Sequence, residues 1–251
     1  MLTAIKETFA KKGKLTLIFG ALLALYIIVV AVWGAFGNLI DADNFFQALG
    51  TANVIIGLLM MILASLSFGS RDTREFLTAL IDRGHHKITV FFAQIIVLAL
   101  SYAFFLILSV LLVIGMQLTV FKGQGMSSFT QFNIVIYGNM IHMFIMSTMI
   151  IFFMVMFRGI KGRLAAIATG IGINYGGLGI AWIGFLFVYH HRFLKWEPFN
   201  FLMVENQLIK PINHTLTKLY RPEAISGSLI YGVIFTLLAL CLFLYMKPIK
   251  R

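Results

Sequence analysis

The chain has 251 residues, of which 60% are hydrophobic and only 12% charged, with a formal net charge of +11 and a mean hydropathy of +0.94. Soluble domains carry roughly 25% charged residues, so this composition excludes an ordinary soluble domain and predicts an all-α integral membrane protein. The positive charge does not indicate nucleic acid, because the basic residues divide by membrane side, and the lone cysteine, Cys241, excludes a disulfide framework and a thiolate metal site.

Six apolar runs follow one another: Leu15–Phe36, Ala52–Phe68, Ile88–Leu118, Phe132–Phe157, Leu164–Tyr189 and Ser228–Met246. A spanning helix needs about 20 apolar residues. The runs are continuous rather than alternating, which predicts helices and not a barrel. The expected architecture is a single transmembrane domain over residues 1–251 with six spans. The second span is short, and the third is long enough to tilt or project past the bilayer.

Residues 1–14 are predicted to form an N-terminal interfacial helix. Leu2, Ile5 and Phe9 recur at helical spacing, with Lys6, Lys11, Lys12 and Lys14 around them. Lys11, Lys12 and Lys14 ahead of an apolar run that ends at Ala35-Phe36-Gly37 imitate a signal peptide. The run is longer than the roughly 7–15 residues of such signals, so a retained first span is expected.

Orientation follows the Lys and Arg distribution. One side holds Lys6, Lys11, Lys12, Lys14, Arg71, Arg74, Arg83, Lys87, Arg158, Lys161, Arg163, Lys247, Lys250 and Arg251. The other holds Lys122, Arg192, Lys195, Lys210, Lys218 and Arg221. The richer side is cytoplasmic by this rule, and six spans place both termini there. The loop after the first span agrees, its charges being Asp41 and Asp43.

Between spans two and three lies the densest charge in the chain, residues 71–87, "RDTREFLTALIDRGHHK". Asp72 with Glu75 three residues on has the form of a capping box. Phe76, Leu77, Leu80 and Ile81 fall on one side, with Arg74, Thr78, Asp82 and Arg83 on the others. Gly84 suits the stop. The product is an amphipathic cytoplasmic helix of about three turns. Two readings fit it: a helix lying on lipid headgroups, or one docking into a groove of a soluble partner.

In span four, Asn139, His142, Met146, Met149 and Phe153 form one stripe. Such a stripe suits either a pathway for a hydrophobic or amphipathic substrate or helix packing held by Asn139. In span five, Gly172 and Gly176 form a small-xxx-small pair that predicts close helix contact, with Asn174 beside it. Residues 190–227 before the last span are half apolar. Trp196, Phe199, Phe201 and Leu202 suit short helices that dip into the outer leaflet or cap a pathway.

The order of elements resembles the membrane subunit of a type-2 ABC exporter, a family that includes bacterial permeases for peptides, lantibiotics and drugs. The resemblance rests on Thr73-Arg74-Glu75-Phe76-Leu77, on Arg83-Gly84-His85-His86-Lys87 running into Phe91-Phe92-Ala93-Gln94, and on Trp196-Glu197-Pro198-Phe199-Asn200-Phe201. Asp82-Arg83-Gly84 stands where the family often has a proline-bearing turn. The resemblance implies that residues 71–87 are a coupling helix, with Arg74, Glu75, Phe76, Leu77, Leu80, Ile81 and Arg83 meeting an ATPase. It also implies a bacterial cytoplasmic membrane protein that works with a second membrane subunit, identical or homologous.

The chain has no G-x-x-x-x-G-K-[ST] and no soluble stretch to hold an ATPase domain. ATP and Mg²⁺ therefore belong to a separate ABC ATP-binding subunit, and this chain is expected to bind no cofactor, metal or nucleic acid. Membrane lipid is the remaining partner. An intramembrane hydrolase lacks support: there is no G-x-S-x-G, the six apolar runs contain no Asp or Glu, and His142 is their one well-embedded histidine. An ATP-independent binding or immunity protein is the alternative.

Overall fold

The computed structural model describes residues 1–37, 40–49, 52–122, 129–157, 160, 162–188 and 190–245, and these contain no strand. Arg158, Lys161, Tyr189, Met246, Lys247, Lys250 and Arg251, used above for spans and orientation, lie outside the described residues. The helices are α1 (Leu2–Phe36), α2 (Ala42–Gln47), α3 (Ala52–Phe68), α4 (Arg71–Asp82), α5 (Lys87–Thr119), α6 (Phe129–Met156), α7 (Arg163–Val188), α8 (Val204–Ile209), α9 (His214–Thr217) and α10 (Arg221–Leu244). Tight 3₁₀ turns at Arg192–Trp196, Pro198–Met203 and Pro211–Asn213 complete the segment between α7 and α10. Six helical stretches are long and apolar enough to cross a membrane: α1, α2 with α3, α5, α6, α7 and α10. The chain is a multi-pass helical membrane protein.

Two spans form the centre. The second and fourth have 62% and 67% of their apolar stretches buried in the bundle, against 28% for α1, α5 and α7 and 33% for α10. This explains why α3 is so short. At 17 residues it is about 25 Å long, yet it is sheathed by α5, α6 and α7 rather than by lipid. The outer helices approach through small residues. Gly20 of α1 lies under Phe104 of α5, with Thr16 and Ser101 sharing a hydrogen bond at 3.1 Å beside it. Gly232 of α10 lies under Phe144 of α6.

The N-terminal interfacial helix is not a separate element. Residues 2–36 form one helix. Ala4, Thr8, Gly13, Thr16, Gly20, Leu23, Ile27, Ala31 and Gly34 are buried along its length. That spacing keeps one narrow face turned inward from end to end, so nothing breaks the helix where its outer face changes from charged to apolar. Leu2 and Phe9 belong to the outer face and are exposed.

The last span also starts earlier than its apolar run, at Arg221 instead of Ser228. A capping box between Tyr220 and Glu223, with proline in the first turn, starts the helix ahead of its apolar stretch. Before α3, Asp41 caps the unpredicted α2 by accepting from the Asn44 amide at 2.7 Å. Phe46 of α2 then stacks on Phe132 of α6, with ring centroids 4.4 Å apart.

Candidate functional site

The charged stretch after α3 forms α4, and its ends are well determined. Ser70, not Asp72, is the N-cap, its Oγ accepting from the Thr73 amide at 3.3 Å. Asp72 is drawn instead to Arg163 at 3.0 Å, and Glu75 to Arg71 at 2.8 Å. At the other end the His85 amide donates to the Leu80 carbonyl and the Gly84 amide to that of Ile81. This is a Schellman stop, with Gly84 at φ +90° as it requires. The helix therefore ends at Asp82, and Lys87 already belongs to α5.

The apolar face of α4 is turned into the chain itself. Leu77 and Leu80 are buried, and Phe76 and Ile81 are partly buried against the same core. The expectation presents all four to a partner; within this chain Leu77 and Leu80 are already covered, and Phe76 and Ile81 are covered in part. A short helix held by two-residue and four-residue connections has the ends of its own spans beneath it, and buries its face there. Arg74 is not a rim residue either. Its Nη2 donates to the carbonyls of Gly69 at 3.0 Å and Ile160 at 2.8 Å, and burial lowers its pKa from the ordinary guanidinium value. Of the predicted docking residues, Glu75 and Arg83 stand on the outer side, beside Arg71, Asp72 and Asp82.

Several spans converge on α4. Arg83 pairs with Glu7 of α1 at 2.7 Å. Lys11 of α1 donates to the Asp72 carbonyl at 3.1 Å and lies 4.1 Å above the Phe76 ring. Asp72 reaches α7 through Arg163, and just beyond α4, at the start of α5, Lys87 donates to the Leu244 carbonyl at the end of α10 at 2.8 Å. Exposed ion pairs contribute about 0–1 kcal/mol each, whereas burying a leucine contributes about 1.5–3 kcal/mol. Leu77 and Leu80 hold the helix down, and the charges set its direction. Arg74 serves differently, as the tie between α4 and the segment before α7. Arg74→Ala is expected to cost about 2 kcal/mol and to speed tryptic cleavage within 157–163. Unchanged cleavage would show that the tie is dispensable.

At the opposite end of the bundle a carboxylate enters between the spans. Glu205 of α8 accepts from Asn53 of α3 at 2.9 Å and lies 3.5 Å from the Asn139 amide of α6. Asn139 Oδ1 accepts from Tyr102 of α5 at 2.9 Å, and His142 lies within the field of the Glu205 carboxylate. α8 packs on α6 at Gly138, where the Glu205 backbone lies 3.5 Å from the place of a Cβ, an ordinary contact distance. The apolar runs hold no acid, as read from the sequence, but this one is supplied from the connecting segment. Glu205, its partner Asn53 and the Asn139 partner Tyr102 are not foreshadowed in the sequence, because Glu205 meets Asn53 and Asn139 across 152 and 66 positions.

Beside this cluster lies an apolar cavity of about 390 Å³, with Met60, Ile95, Tyr102, Met143, Ser147 and Val233 in its wall. None of the stripe Asn139, His142, Met146, Met149 and Phe153 lines it. Met146 and Met149 are in the packed core, Asn139 is in the polar cluster, and Phe153 stacks on Phe157 and meets Phe152 edge-on. The wall of α6 comprises Met140, Met143, Phe144, Ser147, Thr148 and Ile151. That face is rotated from the expected one by about one residue, or 100° of helix. Asn174 is buried on α7 away from both.

Gly172 and Gly176 do not make the predicted close contact, for no atom lies within 4 Å of a Cβ at either. The tight positions on α7 are Gly170, where a Cβ would overlap Ser65 of α3, and Gly177, where it would stand 2.7 Å from Phe199. Seven residues apart, these two share a helix face. The segment after α7 is equally well packed. Phe201 is fully buried and Phe199 half-buried, while Trp196 is exposed at the edge. Phe201 is thus a wedge between helices and not a leaflet anchor. Beside it, burial raises the pKa of Glu197 above the ordinary carboxylate value, opposed by hydrogen bonds from the Phe199 and Asn200 backbone. Comparison of the chain with protein-family profiles, with curated proteins and with solved structures gives no match.

Proposed function

We propose that this chain is the permease subunit of an ATP-driven exporter. It moves a hydrophobic or amphipathic substrate, such as a peptide, bacteriocin or drug, out of the membrane or cell. ATP is hydrolysed by a separate ABC subunit, and a second membrane subunit completes the pathway. The observation that carries this reading is the convergence on α4. One capped helix is tied to α1 and α7 and joined by short connections to α3 and α5, and Lys87 at the start of α5 holds the end of α10. Force applied to its outer side reaches most of the bundle. The cavity walled by α3, α5, α6 and α10, apolar but for Tyr102, Ser147, Thr148 and Thr236, suits an apolar cargo.

With Leu77 and Leu80 already buried, the ATPase contact falls to the outer polar side of α4, at Arg71, Glu75, Asp82 and Arg83. A charge exchange separates docking from folding. Arg71→Glu with Glu75→Arg keeps an i,i+4 pair, so stability should change by less than about 0.5 kcal/mol. The tagged chain is expected to bring an ABC ATPase with it from its native membrane, and the exchanged chain to bring at least tenfold less. Equal recovery of the ATPase by both chains would exclude this face as the dock. Export that persists without ATP would favour the ATP-independent reading.

A further inference from the structure

The segment between α7 and α10 carries a second pocket, separate from the apolar cavity and from the Glu205 cluster. Its volume is about 570 Å³, and its wall includes Arg192, Lys195, His214 and Lys218, with Val188 and Tyr220 at the two ends. No acidic residue is among the described residues that line it. Glu223 takes Lys195 at 3.0 Å and caps the start of α10 through the Tyr220 amide. Of the three cationic side chains in its wall, Lys195 is the one that pairs with Glu223. His214 stacks on Tyr220, with ring centroids 6.4 Å apart.

Two further observations define the occupant. The first is position: Val188 ends one candidate span and Tyr220 caps the helix of another, so the pocket lies at one end of the bundle, beyond the apolar stretch of α10. Trp196 and Tyr220, exposed on the same segment, are the residue types enriched at the membrane–water interface. The second is backbone conformation. Lys218 is left-handed, with φ 55° and ψ 18°, at the end of α9. Glycine and asparagine adopt that conformation far more readily than lysine. A lysine held there trades backbone comfort for a cation in the pocket.

We propose that this pocket binds the phosphate of an anionic lipid headgroup, with Arg192 and Lys218 as its charged contacts. Guanidinium and ammonium donors suit phosphate oxygens, and basic recesses between spans take anionic headgroups in this way. The proposal is independent of the exporter reading, because binding is measured on the chain alone without ATP.

The purified full-length protein in neutral detergent is titrated with short-chain phosphatidylglycerol, with phosphatidylcholine of the same chain length, and with inorganic phosphate. Native mass spectrometry counts the bound molecules. The expected result is one saturable phosphatidylglycerol per chain, weakened about tenfold or more by Arg192→Gln and by Lys218→Asn. Lys218→Asn should fold with an unchanged or higher Tm, because asparagine relieves the left-handed backbone. Arg192 is exposed, so Arg192→Gln provides a second folded variant. Inorganic phosphate binding as tightly as the lipid would overturn the lipid as the source of the phosphate. Equal binding of phosphatidylcholine, or full binding by both variants, would overturn the site.

Discussion

Gly227→Ala is expected to loosen the whole segment between α7 and α10. A Cβ at this position would overlap the tip of the Phe201 ring and stand 2.8 Å from Cδ1. The ring has nowhere to go. Phe201 is fully buried, 5.2 Å from the Tyr231 ring and 6.1 Å from that of Trp196 between centroids. Overpacking of this kind costs about 1–3 kcal/mol, and here it falls on the one aromatic that seats the segment against α10. The expected readout is a lower Tm in detergent together with faster amide exchange across 192–217. Phe201→Leu in the same chain should recover part of the loss, since a smaller side chain makes room for the new methyl. Phe201→Leu alone should destabilise by leaving a cavity. If the double variant is no better than Gly227→Ala, the contact between the two residues does not set the position of the segment.

Leu80→Asp is expected to have the larger effect at the other end of the bundle. Leu80 is fully buried beneath α4, and its carbonyl also accepts the His85 amide of the helix stop. An aspartate there buries a carboxylate without a counter-charge, at a cost of at least about 3 kcal/mol. The helix should lift from the bundle, and trypsin should then cut after Arg71, Arg74 or Arg83. Phe76→Asp should do less, because Phe76 is only partly buried and its ring already faces the Lys11 ammonium. These losses are expected without any partner present. Resistance of the Leu80→Asp chain to trypsin would show that α4 does not depend on its inner face. The comparison with the Arg71/Glu75 exchange matters for function: variants of the inner face test folding, and the outer-face exchange tests the proposed docking.

The sequence by itself determined the membrane class, the six spans and most of their ends. It also determined an amphipathic helix between the second and third spans and its stop at Gly84. These are local properties. Apolar run length, helical spacing and a glycine at φ > 0 act within a few residues and can be read along the chain. Tertiary structure decided what the faces meet. Periodicity placed Leu77 and Leu80 on one side of α4, but whether that side meets a partner or the ends of α3 and α5 depends on how the connections fold it back. The span-four stripe was legible as a stripe, yet the cavity lies about 100° around the same helix, because the neighbours of α6 choose its open face. Gly172 and Gly176 satisfy the spacing for close contact, yet Gly170 and Gly177 make it, since Ser65 and Phe199 come from elsewhere in the chain. Glu205 is the clearest case. Its segment reads as a half-apolar connection, and Glu205 becomes a partly buried carboxylate among the spans only because α8 folds onto Gly138 and meets Asn53 and Asn139, residues far away in sequence. A span's lipid-compatible composition says that it is buried from water. It does not say which neighbour buries it, because apolar side chains satisfy lipid and protein alike and the choice rests on packing shape and a few polar contacts.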